Sequence, residues 1–193
     1  MKAKVTFLTL VLFITLFTGC AKKAQDQTTP TVTPIATPTT ATTTAPDAVT
    51  TASIVDTAAN FEKAISKDGT WIICTIKDLV IDKDLVLDGE FVNGKTDTNG
   101  AAIIQRKIGL YTQDADRNIT ARFTLTAPKL TINSPGASIQ HGTFKGDLYV
   151  SAKDFQLVDA TVDGNVYFTT DEAKSTFVMD ATSKVTGKQE LKK

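Results

Sequence analysis

The feature that most limits what this chain can fold into is a passage that states nearly the same sequence more than once. Lys145-Gly146-Asp147-Leu148-Tyr149-Val150 returns 18 residues later as Asp163-Gly164-Asn165-Val166-Tyr167-Phe168. Leu157-Val158-Asp159-Ala160-Thr161 returns 21 residues later as Val178-Met179-Asp180-Ala181-Thr182, and a third glycine, Gly187, falls 23 residues beyond Gly164. Repeats of about 20 residues describe stacked units, none able to bury its apolar face alone. Within each unit Leu148 and Val150, then Val166 and Phe168, share one side while Tyr149 and Tyr167 point to the other, which is the period of a strand and not of a helix. Short strands with one turn residue per bend predict an all-β fold: a small, single-domain, right-handed parallel β-helix or solenoid.

The first residues stand apart from that pattern. Lys2 and Lys4 precede an apolar run from Val5 to Phe17, which closes on Phe17-Thr18-Gly19-Cys20. Charged, apolar and small-residue regions in that order make a secretory signal, and the run is shorter than the roughly 20 residues a membrane-spanning helix needs. Its closing residues resemble the lipobox of bacterial lipoproteins. The resemblance implies removal of residues 1–19 by cleavage between Gly19 and Cys20, with diacylglycerol on Cys20. It also implies an exported protein held by lipid at the outer face of the cell membrane, where two or three acyl chains hold and one does not.

From 20 to 52 the chain is Thr, Pro and Ala with almost nothing to bury, as in Thr37-Pro38-Thr39-Thr40 and Thr42-Thr43-Thr44-Ala45-Pro46. Such a composition does not offset its ordering entropy and is expected to be a disordered tether. At ~3.1 Å per residue, roughly thirty residues reach up to about 100 Å. The folded domain is then 53–193. Of the chain's 21 basic side chains the leader takes Lys2 and Lys4, leaving 19 against 21 acidic ones, and a net charge of −2 gives no electrostatic reason to bind nucleic acid. Beyond Cys20 the chain has a single cysteine, Cys74, within the apolar run from Trp71 to Ile76. A small buried side chain is expected there, and no intramolecular disulfide.

Within the domain, Asp56 or Thr57 can cap a helix from Thr57 to Lys67 that carries Phe61, Ala64 and Ile65 on one face, with Gly69 after its end. A solenoid leaves the end of its core open, and this helix is placed to close it. Trp71 to Ile76 reads as a strand buried on both sides. Asn93-Gly94 and Asp97-Thr98-Asn99-Gly100 mark an excursion from the stack, a mobile loop. Ile119, Ala121, Phe123 and Leu125 alternate as one strand that Pro128 ends. At about 20 residues per unit the domain would hold six or seven turns.

Two further resemblances concern this domain. The stretch from Phe61 through Asp88-Gly89 is similar to the N-terminal cap and first coils of pectate-lyase-like β-helices. Residues 130–187, with Lys145-Gly146-Asp147, Asp163-Gly164-Asn165 and Val185-Thr186-Gly187, resemble the coils of bactofilins, the polymer-forming β-helical proteins. That second resemblance implies regular coils whose uncovered ends can stack on another copy.

Ionisable groups offer little for chemistry. His141 is the one histidine and stands at a bend; no Cys/His cluster has zinc spacing, no Gly-rich phosphate loop occurs, and no cofactor is expected. Asp114-Ala115-Asp116-Arg117-Asn118 resembles the opening of a calcium loop, but Ile119 and Leu125 occupy the positions needing glycine and a bidentate glutamate, so a polar turn is favoured. The three arginines, Arg106, Arg117 and Arg122, lie in one region with Asp114 and Asp116, the single constellation worth testing as a ligand surface. Tyr149 and Tyr167 form a second candidate surface, either a stabilising aromatic ladder or a platform for sugar rings. The expectation is a non-catalytic, lipid-anchored structural, assembly or adhesive module. Self-association through its ends, a wall glycan or an envelope protein would be its partners, and a small carbohydrate-binding or carbohydrate-cleaving β-helix is the alternative.

Overall fold

The structure, a computed structural model, describes residues 52–192. The expected leader, the cleavage point between Gly19 and Cys20, and the expected tether up to residue 51 lie outside the described residues. In chain order the elements are β1 (Ala52–Val55), α1 (Ala58–Ile65), β2 (Ile72–Thr75), β3 (Leu79–Val80), β4 (Leu85–Leu87), β5 (Val92–Thr96), β6 (Ala102–Ile104) and β7 (Arg106–Gly109). There follow β8 (Tyr111–Gln113), β9 (Ile119–Arg122), β10 (Thr124–Ile132), β11 (Ala137–Gln140), β12 (Thr143–Val150), β13 (Gln156–Val158), β14 (Thr161–Asp163) and β15 (Val166–Phe168). The last are α2 (Asp171–Ser175), β16 (Val178–Met179), β17 (Lys184–Val185) and β18 (Gln189–Leu191).

The fold is mostly β and its two large sheets are parallel throughout. One runs β1-β2-β7-β11-β13-β16. In the other, β3 and β4 both pair with β10, β10 with β12, β12 with β14 and β15, and these with β17 and β18. Five successive segments, starting at β2, β7, β11, β13 and β16, each give a strand to the first sheet and then to the second. Six or seven were expected; the difference is chain spent on α1, α2 and two hairpins.

Register turns the alternation of the sequence into columns. Ile73, Ile108, Ile139 and Leu157 lie opposite one another along the first sheet, and each is at most 1% exposed. Leu125, Phe144 and Val162, then Leu85, Leu130, Leu148 and Val166, do the same along the second. Each such side chain contributes about 1.5–3 kcal/mol by leaving water. The 18-residue repeat is a true pairing, Lys145 opposite Asp163 and Leu148 opposite Val166. Between those pairs stand Gly146 and Gly164, where a Cβ would lie 1.9 Å from Ala127 O and 2.0 Å from Gly146 O; no side chain fits at either position at strand spacing.

The 21-residue match is not a pairing. Leu157 faces Met179, 22 residues on, because α2 lengthens that segment. One residue more is then taken up before β17, and Val162 faces Val185 at the 23-residue spacing of Gly164 and Gly187. Thr170 caps α2, its Oγ1 accepting from Ala173 N–H at 3.0 Å.

Several local expectations change for physical reasons. In β2 only Ile73 and Thr75 turn inward; Ile72 and Cys74 are half-buried on the outer side, so an apolar outer face had hidden an ordinary alternation. The excursion at 93–100 is an antiparallel hairpin, β5–β6, with a register shift between Val92 and Thr96, and its turn is held by Asp97 Oδ1 accepting from Asn99 N–H at 2.8 Å and Ala101 N–H at 2.9 Å. The alternating run from Ile119 belongs to two strands: β9 pairs back on β8, and β10 begins at Thr124. Pro128 lies inside β10, where the register shifts between Thr126 and Lys129, a bulge that asks no N–H of it.

Helix α1 follows its expected face. Thr57, not Asp56, is the N-cap, with Oγ1 accepting from Asn60 N–H at 3.2 Å, and Phe61, Ala64 and Ile65 are buried. Its C-cap is Ser66; Gly69 instead passes so close that a Cβ there would meet Ala64 O at 1.9 Å.

Candidate functional surface

Arg106 leaves the expected constellation altogether. Its side chain is fully buried and serves as a hub: Nε donates to Thr70 O (3.2 Å), Nη1 to Asp88 O and Ser134 Oγ (3.3 Å), and Nη2 to Ala64 O (2.8 Å) and Ser66 O (2.7 Å). The guanidinium also lies 4.1 Å from the centre of the Phe91 ring. Burial pulls its pKa down to about 10, with Asp88 opposing, so it remains a cation at neutral pH. The carbonyls of Ala64 and Ser66 come from the C-terminal end of α1, the negative end of the helix dipole, which is where a buried cation is best accommodated. Arg106 therefore fixes α1 to the first two segments.

Asp114 and Asp116 stand at the tip of the β8–β9 hairpin. Asp114 spends both carboxylate oxygens on the turn, Oδ1 accepting from Asn118 N–H at 2.8 Å and Oδ2 from Asn118 Nδ2 at 3.0 Å, and these bonds hold its carboxyl below the usual range. Arg117 takes the left-handed position of the same turn, φ 68°. Among the described residues no three His, Cys, Asp or Glu side chains converge as metal ligands. Asp114, Asp116 and Arg117 form a polar turn.

Arg122 joins a different group. Its Nη2 reaches Asp159 Oδ2 at 2.5 Å, the same oxygen that lies 3.0 Å from His141 Nδ1. Tyr111 packs edge-on against the imidazole at 4.5 Å between centres. Hydrogen bonds from His141 first and Arg122 second hold the Asp159 carboxyl below its ordinary range. His141 and Asp159 occupy the same corner of successive segments, both left-handed (φ 59° and 49°), a backbone state that His, Asp and Asn adopt more readily than other side chains with a Cβ. The one histidine, at its bend, thus has a partner in Asp159. A signal for the pair was present: 18 residues separate them, the same spacing that separates Gly146 from Gly164.

Cys74 lies on the outer side of the first sheet, near Gly109, whose added Cβ would stand 3.4 Å from Cys74 Sγ and 3.1 Å from the Tyr111 ring. Burial pushes the thiol pKa up, away from the reactive thiolate.

Tyr149 and Tyr167 do face each other across β12 and β15, 5.0 Å between ring centres and tilted by 47°. Lys192 lies over both rings, its Nζ 4.4 Å from the centre of Tyr167 and 5.3 Å from that of Tyr149, and it donates to Tyr149 Oη at 3.1 Å. The protein's own ammonium therefore occupies space that a stacking sugar would need. Elsewhere a cleft of about 330 Å³ opens where residues of β6 pass the turns before β11 and β13, lined by Ile104, Gln105, Pro135, Lys153, Asp154 and Gln156.

No family model matches this chain, and no curated protein or solved structure matches it. Among the described residues no helix is long and apolar enough to cross a membrane.

Proposed function

We propose that this protein is a lipid-anchored, exported β-solenoid that acts as a structural, assembly or adhesive module at the outer face of a bacterial membrane. The two parallel ladders are two walls of one right-handed solenoid of five turns, since crossovers between parallel strands of one sheet take that hand almost without exception. Helix α1 is its N-terminal cap. The observation that carries the non-catalytic reading is where the ionisable groups are used. Arg106 is spent on carbonyls, Asp114 on its own turn and Asp159 on Arg122 and His141. The anchor rests on the Thr18-Gly19-Cys20 motif and on a Thr/Pro-rich stretch that carries the domain away from the lipid.

Fractionation of cells carrying the full chain tests the anchor. The parent should sediment with membranes and Cys20→Ser should be released; retention of that variant would overturn lipid anchoring. The carbohydrate-binding alternative draws on the cleft beside the β5–β6 hairpin and, at a separate place, on the tyrosine pair, where a sugar would have to displace Lys192. Binding to an oligosaccharide array that is lost in the Tyr149→Ala, Tyr167→Ala double variant would support it, and an array without binding would reject it.

A further inference from the structure

We infer that the free edge of β1 is a pairing surface for a second copy of this chain, the two β1 strands running antiparallel about a two-fold axis at Ile54. Among the described residues β1 pairs with β2 alone. Val55 turns its main-chain groups toward β2, since its carbonyl accepts from Ile76 N–H at 3.3 Å. By the alternation of a strand, Ala52 and Ile54 turn theirs to the open edge. Main-chain groups in a row specify what covers them, namely another strand.

The two edges of the stack differ in a way that selects the partner. Residues 52–55 carry no charge, and the apolar side chains beside that edge are unusually open, Ile54 61% and Ile76 46% exposed. At the other end β16, β17 and β18 have two, two and three residues; Lys184 lies on β17, Lys188 between β17 and β18, Glu190 on β18 and Lys192 just after it, while β16 carries no charge. Very short strands rich in lysine are how sheet edges are kept from pairing. Val178 and Met179 are exposed there too, but on a strand too short to hold a register. Head-to-tail stacking would need that blunted edge, whereas a two-fold pair needs only the open one, used twice.

In the two-fold arrangement Ile54 of each copy exchanges both N–H to carbonyl bonds with its counterpart. Their Cα atoms stand about 5.5 Å apart, and the two isoleucine side chains meet on one face. Roughly thirty residues separate Cys20 from Ala52, reaching up to about 100 Å, so two copies joined at this edge stay within reach of one membrane. The inference rests on the assembly reading above and names the end that assembles.

The test uses the full chain in membranes, with Cys74→Ser as the parent. Ile54→Cys or Val178→Cys is added, each at an exposed position, and the membranes are treated with a mild oxidant and run on a non-reducing gel. A separation of about 5.5 Å lies within disulfide range. The expected result is a band at twice the monomer mass from Ile54→Cys that is absent from both the parent and Val178→Cys. Cross-linking through Val178→Cys with none through Ile54→Cys would overturn the inference and leave assembly standing through the other end. No cross-link from either variant would overturn both.

Discussion

The two halves of the stack are held by opposite means. From β10 onward, like sits on like: Leu125, Phe144 and Val162 in one column, Leu130, Leu148 and Val166 in another, and Gly146 under Gly164 where nothing larger enters. Before β10 no sequence spacing recurs, although Ile73 already stacks on Ile108 and Leu85 lies opposite Leu130. One helix, two hairpins and a single buried arginine do the same work once each, and Arg106 alone joins Ala64, Ser66, Thr70, Asp88 and Ser134. Stability built by repetition is spread over many equivalent contacts, whereas stability built on a hub is concentrated in one side chain.

The largest effect should come from breaking the hub. Arg106→Leu removes the charged donor from four carbonyls and a hydroxyl; Ala64 O and Ser66 O each keep a backbone N–H, from Thr70 and Gly69, while Thr70 O, Asp88 O and Ser134 Oγ lose the guanidinium outright, for a loss on the order of 4 kcal/mol. Thermal unfolding should show it as a Tm lower by about 12 °C or more. Arg106→Lys keeps the charge but not the planar fork and should recover less than half of the loss. A wild-type Tm in Arg106→Leu would refute the hub.

A smaller effect is expected from the repetitive half. Gly164→Ala places a Cβ 2.0 Å from Gly146 O, so two strands must part locally, costing on the order of 3 kcal/mol. Exchange of the amides in β12, β14 and β15 should quicken in this variant while those around α1 keep their protection. Equal quickening in both halves would erase the distinction between them.

The smallest effect belongs to the corner. The Asp159 carboxyl titrates below its ordinary 3.8 when folded, so its contribution is present above that value and is lost as pH falls through the lowered one. The Tm difference between the parent and Asp159→Asn should be steady well above 3.8 and shrink as the pH is lowered below that value. A difference that stays level, or grows, as the pH falls through the acid range would show that Asp159 contributes nothing through its charge.

What the sequence made legible follows the same division. The regular half could be read because a strand's period of two and an 18-residue spacing are written directly into Leu148, Val150, Val166, Phe168 and the two glycines. Even the corner pair of His141 and Asp159 lay at that spacing. Where the chain departs from repetition, local patterns misled. Asp159-Ala160-Thr161 and Asp180-Ala181-Thr182 look equivalent, yet Thr170 and α2 move the register by one residue. Sequence proximity groups Arg106 with Arg117 and Arg122, because nothing local says that a guanidinium will meet carbonyls up to 42 residues away. Partners at that distance are chosen by tertiary packing, not by propensity.

The same contrast reaches the two ends of the described domain, where β1, an uncharged strand of four residues that pairs with β2 alone among the described residues, stands opposite β16, β17 and β18, of two, two and three residues, with Lys184 and Glu190 on the last two. Sedimentation velocity over a wide concentration range, on a chain lacking residues 1–47 and so retaining all of β1, tests that asymmetry most directly. A reversible dimer that goes no further, and that Ile54→Lys returns to monomer, is the expected result. An open-ended ladder of species would mean that both ends pair, and a monomer at every concentration would mean that neither does; either would contradict an assembly built on one open edge.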